Sequence, residues 1–530
     1  MSAPSPADAT PGDDALLVTT SSGPVRGSLR EGLRSWRGIP YAAAPVGALR
    51  FRRPQPPEPW QGVRETVEFG HAAPQHENKA LALPEGITQS EDCLVLNVLA
   101  PPATGPDAAP SAPRPVMVWV HGGAYFAGTA AQPLYDGTHL VQNGEVVFVS
   151  VNYRLGALGF LDFSGIATEE QPFDTNLGLR DLLAALAWVQ QNIAAFGGDP
   201  GDVTLFGESA GGGCVTTLLT SPHAAGLFQR AIAESSPATS VYSARRAAAT
   251  AARFLEIAGV PAAEPQRLRE LPAEALSQAA FDLVNAISAE APGTLALAPV
   301  VDGDVVPVHP IEAFQAGSQH PVPLIIGTNR DEASLFRLMK SPLMPITPSS
   351  VHAMFTQIAA ENPALTDAEA RVAAAYPKRR SSPAEISRDA GFRMPSIWLA
   401  SAHSRVAPTR MYRFDHATPM LKLLGIGATH GAELAYVFGN FRVAKKDFTF
   451  DLGGLRQAER VSAALQHRWL RFAVDGVPTG LPDIAGSALD WPLYDEAARS
   501  TLVIDHGEQV IDDPDAAIRE AWGDEVIGFD

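Results

Sequence analysis

Val203-Thr204-Leu205-Phe206-Gly207-Glu208-Ser209-Ala210-Gly211-Gly212-Gly213 decides how the rest of the chain is read. Four residues of strand character run into Gly-x-Ser-x-Gly, and a helix-compatible segment follows. A serine on so cramped a strand-to-helix turn stands above the sheet edge, and only small residues two positions to either side let the backbones pass. The first amides of the following helix then point at the reacting atom, where a helix N-terminus favours negative charge. The pentapeptide alone carries little weight. With 45 glycines in 530 residues it arises by chance roughly 0.2 times per chain.

Its surroundings supply the weight. Upstream, residues 116–120 form a continuous apolar run, as expected of a strand covered on both faces, and end in His121-Gly122-Gly123-Ala124. A second run, residues 146–151, ends in Asn152-Tyr153-Arg154, and residues 93–98 read as a third strand. Leu179, Leu182, Leu183, Leu186, Val189 and Ile193 recur at helical spacing before Gly197-Gly198, and Asp199-Pro200 turns the chain into the elbow strand. Downstream, strand 324–327 precedes Thr328-Asn329-Arg330-Asp331-Glu332, and strand 411–414 precedes a Gly-rich loop holding His430. Residues 240–390 are Ala/Glu-rich and helical in character, suited to cover the top of a sheet. Alternating strands and helices predict an α/β fold, a mostly parallel sheet with helices on both faces.

Composition narrows the function. A formal charge of −18 argues against nucleic acid or an anionic membrane as partner. Only Cys93 and Cys214 are present, so no disulfide framework is expected, and no Cys/His spacing suggests zinc. The first residues lack a basic and an apolar region, and no run of about 18 apolar residues occurs, so the expected location is cytoplasmic. Residues 1–14, rich in Ala, Pro, Ser and Asp, read as a disordered tail, and residues 102–113 as an exposed loop. Prolines are dense from 40 to 59, which predicts irregular chain. With no repeat or low-complexity linker, residues 15–530 read as one domain.

A serine hydroxyl needs a base to take its proton and an acid to hold the base. On a sheet of this type the order is Ser, Asp/Glu, His, with each residue on a loop after a strand. Of thirteen histidines, His430 has the matching position. His121 is better placed to shape its turn, and His223 lies at the far end of the elbow helix. Glu332 and its neighbour Asp331 compete for the acid. The His121-Gly122-Gly123-Ala124 turn and the Ala210 amide are candidate donors to a developing oxyanion.

Taken together, these stretches closely resemble the type-B carboxylesterase family of the α/β-hydrolase superfamily, over about residues 18 to 500. Further matches are Gly38-Ile39-Pro40-Tyr41, Leu49-Arg50-Phe51, Glu91-Asp92-Cys93-Leu94-Val95-Leu96-Asn97-Val98, Asn192-Ile193-Ala194-Ala195-Phe196-Gly197-Gly198-Asp199-Pro200 and His430-Gly431. The resemblance implies an α/β-hydrolase fold with helical insertions over the sheet. It assigns Ser209 as nucleophile, His430 as base and Glu332, not Asp331, as acid. It gives Gly123, Ala124 and Ala210 as oxyanion donors, Gly122 and Glu208 as supporting residues, Ser235 as a serine beside the acid, and Arg50–Glu91 as a structural pair. No cofactor or metal is implied, and the expected substrate is a small-molecule ester of small to medium acyl group. Amides, carbamates or thioesters are the alternative, and a non-catalytic adhesion protein on this fold the remote one.

Departures from the family also inform. No cysteine precedes Cys93, so it should be a free thiol. The loop from about 71 to 90 lacks the tryptophan with which cholinesterases hold a quaternary ammonium, and its Leu81, Leu83 and Ile87 make a poor lipase lid. The fit is best to the bacterial branch. Phe126, Phe336 and Trp398 are candidate pocket walls, and the oligomeric state stays open.

Overall fold

The structure, a computed structural model, describes residues 14–77, 82–102, 112–443, 447–482 and 489–530. The tail, all but its last residue, most of the 102–113 loop and Leu81 therefore lie outside the described residues. Among the described residues, eleven strands pair into one sheet. In chain order they are β1 (Ser28–Arg30), β2 (Leu33–Pro40), β3 (Val95–Ala100), β4 (Arg114–Val120), β5 (Val147–Val151), β6 (Gly198–Glu208), β7 (Arg230–Glu234), β8 (Leu324–Asn329), β9 (Thr409–Phe414), β10 (Ser500–Ile504) and β11 (Glu508–Asp512). Their order in space is β11-β10-β9-β8-β7-β6-β4-β5-β3-β2-β1. From β10 to β5 all neighbours run parallel, and both flanks are antiparallel.

The apolar runs of the central strands follow from burial on both faces. Alternate side chains divide between two cores: Val116, Val118, Val120, Leu205, Ala233 and Ile326 face one. Met117, Trp119, Phe206, Ile232, Ile325 and Tyr412 face the other. Helix α1 (Leu177–Asn192) covers the first face with Leu179, Leu182, Leu186 and Val189. On the second face lies α4 (Leu455–Asp475), through Val461, Leu465 and Trp469. Between them in sequence, α2 (Ala210–Leu218) follows β6 and α3 (Ala273–Glu290) belongs to the helical stretch over the sheet's top. Among the described residues, no helix is long and apolar enough to cross a membrane.

Register carries function here. Glu208 pairs with Glu234, Glu234 with Gly327, and Asn329 with Phe414. The carboxyl ends of β6, β7, β8 and β9 thus lie along one edge, and the loops after them share one space.

Several expectations shift at their ends. The third strand starts at Val95, because Cys93 and Val95 donate backward to Glu91 and Cys93 in a tight turn. The elbow strand is longer, reaching back to Gly198 through a register irregularity against β4. The β10–β11 hairpin was not foreseen, since β11 is a half-buried edge with no apolar run. Cys93 is a buried free thiol as expected, and Arg50 Nε donates to Glu91 Oε1 at 2.7 Å. Arg154 and Asp181 form a buried two-pronged pair at 2.8 and 2.7 Å.

Candidate active site

Ser209 sits between β6 and α2 with φ 56° and ψ −124°, a backbone state that an L-residue holds only under constraint. The constraint is crowding. A Cβ on Gly207 would stand 2.7 Å from the Gly211 carbonyl carbon, and one on Gly211 would stand 2.1 Å from Val120 O. Ser209 N donates to Glu234 O at 2.9 Å, and Gly213 N to Ser209 O at 2.8 Å, so the turn is tied to β7 and to its own helix.

His430 Nε2 lies 2.8 Å from Ser209 Oγ, and its Nδ1 lies 2.7 Å from Glu332 Oε2. A carboxylate only accepts, so in the neutral imidazole Nδ1 carries the proton and Nε2 is left to accept from the hydroxyl. Glu332 has no exposed surface, and its Oε1 accepts from Ser235 Oγ at 2.6 Å and from Asn329 N at 2.7 Å. Of the two competing acids, Glu332 is the one that reaches the imidazole. Asp331 clamps the histidine loop instead, its amide donating to Ala428 O at 2.8 Å and its carboxylate accepting from Ala428 N at 3.2 Å.

The other histidines go elsewhere. His121 is buried with Nδ1 2.8 Å from Gly122 O and its ring stacked on Tyr153 at 4.6 Å. Burial pushes it down to about 4, which keeps it neutral beside the turn. His223 faces Asp304 at an exposed site.

The turn after β4 carries three positive φ values in succession: Gly123 at 122°, Ala124 at 49° and Tyr125 at 63°. Phe126 N and Ala127 N close it on Gly123 O at 3.1 and 3.0 Å. The amides of Gly123, Ala124 and Ala210 have no acceptor among the described residues, and all three residues line the pocket that holds Ser209. Gly122 is the close approach behind them, where a Cβ would stand 3.0 Å from that of Ser209.

Comparison with known proteins gives the chain its family. The model of the Carboxylesterase family matches residues 14–522. The chain belongs to that family. The esterase is 40% identical to the para-nitrobenzyl esterase of Bacillus subtilis, over 95% of this chain and 98% of the relative. It is 33% identical to the fumonisin B1 esterase of Sphingopyxis macrogoltabida, over 95% and 89%. A solved carboxylesterase of Geobacillus stearothermophilus superposes with a TM-score of 0.81 at 36% identity, covering 96% of this chain and all of that one. The esterase therefore has the α/β-hydrolase fold and is a carboxylic-ester hydrolase.

Its pocket has a volume of about 620 Å³, and its walls are mostly apolar: Phe126, Phe281, Phe336, Met354, Phe392 and Phe529. Phe126 and Phe336 are where the sequence reading puts them. Trp398 is not; it is buried in the core with its indole N–H donating to Gly523 O at 3.0 Å. Phe392 escaped the sequence reading. It lies on a π-helical turn (Asp389–Arg393) and stacks on the His430 ring at 4.5 Å.

Beneath the imidazole the esterase buries further carboxyls. Glu208 Oε1 lies 3.2 Å from His430 Nε2. Burial works against charge on His430, but Glu208 foremost, and then Glu332, outweigh it and raise the imidazole to about 9. Burial in turn raises Glu208 to about 7, against the pull of His430. Asn329, another residue that sequence reasoning passed over, joins two of these layers. Its amide nitrogen donates to Glu433 Oε2 and to Thr429 O, while its backbone holds Glu332.

Proposed function

We propose that the esterase works through an acyl-enzyme on Ser209, with His430 as base and Glu332 as the acid that orients it. The single observation that carries this reading is the unbroken chain from Ser209 Oγ to His430 (2.8 Å) to Glu332 (2.7 Å), ended on a carboxylate with two donors of its own. Ser209 Oγ attacks the ester carbonyl as its proton passes to Nε2. The oxyanion is received by the amides of Gly123, Ala124 and Ala210, each donor of this kind worth about 2.7–4 kcal/mol. Imidazolium, favoured by Glu208 and Glu332, then protonates the departing alcohol. Water, deprotonated by the same nitrogen, releases the acid. Gly122 keeps the donor turn close to Ser209, and Ser235 holds Glu332 in place. The steps call on no cofactor.

The substrates in this reading are small-molecule esters with small to medium acyl groups, in keeping with a mostly apolar pocket of about 620 Å³. Its aromatic walls suit aryl-bearing esters, as the name of the B. subtilis relative also suggests. Residues 15–530 act as one domain.

The test compares wild type with Ser209→Ala on p-nitrophenyl esters from acetate to palmitate and on a matched anilide. Wild type should hydrolyse the shorter esters and take up a fluorophosphonate at Ser209. The variant should keep its circular dichroism and lose at least about 10⁴-fold in kcat. Anilide turnover equal to ester turnover would make the protein an amidase, and an active, unlabelled Ser209→Ala would remove Ser209 from the mechanism.

A further inference from the structure

Away from Ser209, a second group of chemistry-bearing side chains gathers where β9 and β10 end. Parallel pairing of Phe414 with Ile504 brings together the residues that follow each strand, and the Asp415 and His416 amides both donate to Ile504 O, at 2.7 and 3.1 Å. His416 is 2% exposed, yet neither ring nitrogen has a hydrogen-bond partner among the described residues. An imidazole always carries an N–H or a lone pair on each nitrogen, so burying both without partners is costly. Its Nδ1 stands 3.4 Å from Asp505 Oδ1, a long ion-pair contact to a side chain that is 39% exposed. His506 follows on the exposed side. One donor atom from each of His416, Asp505 and His506 lies within 4.8 Å of the other two.

We propose that His416, Asp505 and His506 bind a divalent transition-metal ion of the zinc class, tying the exit of β9 to the β10–β11 turn. Two imidazoles and one carboxylate suit zinc better than calcium or magnesium, which take oxygen donors. Donor atoms sharing one tetrahedral zinc stand about 3.4 Å apart, from bond lengths of about 2.1 Å. The His416–Asp505 separation is already that distance, and the exposed His506 needs only a side-chain rotation to close in. The ion would bind the buried nitrogen of His416 and the Asp505 oxygen beside it more closely than they now meet each other, with water completing the coordination on the open side.

Lys422 is the competitor. Its ammonium lies 3.4 Å from His506 Nε2 and 4.0 Å from Asp505 Oδ1, so the spot already draws positive charge. The side chain is half exposed and free to swing into solvent as the ion enters. The ion's task is structural. From His416 the chain runs on to the loop that carries His430, so a clamp here steadies the start of that loop without touching the reacting atoms.

The test uses the full chain, stripped with EDTA and desalted, then titrated with zinc sulfate by calorimetry and with cobalt(II) by visible absorption. One equivalent of zinc should bind saturably, the thermal midpoint should rise with zinc, and cobalt should give the intense visible bands of a tetrahedral site. His506→Ala alters an exposed side chain and should weaken zinc by more than about tenfold, since even residues behind a ligand cost that much. Lys422→Ala should tighten it. The stripped protein should hydrolyse esters at the wild-type rate. Absence of saturable binding, or equal affinity in wild type and His506→Ala, would overturn the site.

Discussion

Around Ser209 the chain is held by backbone crowding, and across the pocket it is held by side chains. On the near side, Gly211 meets Val120 O and Gly122 meets Glu208 O at distances that admit no Cβ. On the far side, Phe392 and Phe336 pack with Met344 and Ala333 in a small apolar cluster separate from the two large cores. The first kind of construction fixes atoms to a fraction of an ångström and tolerates no change. The second fixes a surface and leaves its shape adjustable. Reaction chemistry needs the former, and a choice among substrates needs only the latter.

The comparison breaks most sharply at Gly211→Ala. The added carbon would stand 2.1 Å from Val120 O, a backbone atom that cannot swing away. Hydrolysis should fall below detection, and the urea midpoint should drop by the equivalent of about 3 kcal/mol or more. A variant with wild-type turnover and midpoint would show that crowding does not set the elbow.

The two constructions also differ in how far they can be read from sequence. Gly207, Ser209 and Gly211 mark their turn once the strand before them and the helix after them are read with them, and the apolar runs 116–120 and 146–151 announce central strands. Pairing across long separations leaves none. Asp331 and Glu332 are equivalent in sequence, and only resemblance, and then the bond from Glu332 to His430, separates them. Trp398 and Phe392 are both aromatic residues on helices six positions apart. One enters the core and the other stacks on the imidazole, since residues six positions apart on a helix of 3.6 residues per turn face different sides, and sequence alone does not say which side meets the pocket. The His416–Asp505–His506 cluster is likewise invisible until β9 and β10 pair.

A middle-sized effect should come from Glu208→Gln, which alters charge while keeping shape. The base must be neutral to accept a proton, so kcat/KM rises as pH rises through the His430 pKa, raised to about 9. Glu208 is the foremost influence holding it up, with burial opposing. Without that charge the ascending limb should move to lower pH, and the plateau kcat should fall by about tenfold as the imidazolium loses a charged partner. A limb that stays in place would show that Glu332 alone sets the imidazole.

The smallest effect should follow from Phe281→Ala, on the adjustable side. Phe281 lies on α3, half-buried, stacked on His76 at 4.2 Å and tilted towards Phe126 at 6.4 Å, with no bond to any of the reacting groups. Its ring lines the pocket, so its loss should lengthen the space open to an acyl chain. One methylene in an apolar pocket is worth about 1–3 kcal/mol. The ratio of kcat/KM for hexanoate over acetate should therefore rise by about tenfold, with kcat on acetate within about threefold of wild type. A uniform fall across all chain lengths would mean that the far wall also positions the ester for attack. The division between a rigid elbow and a tunable wall would then have to be redrawn with α3 on the rigid side.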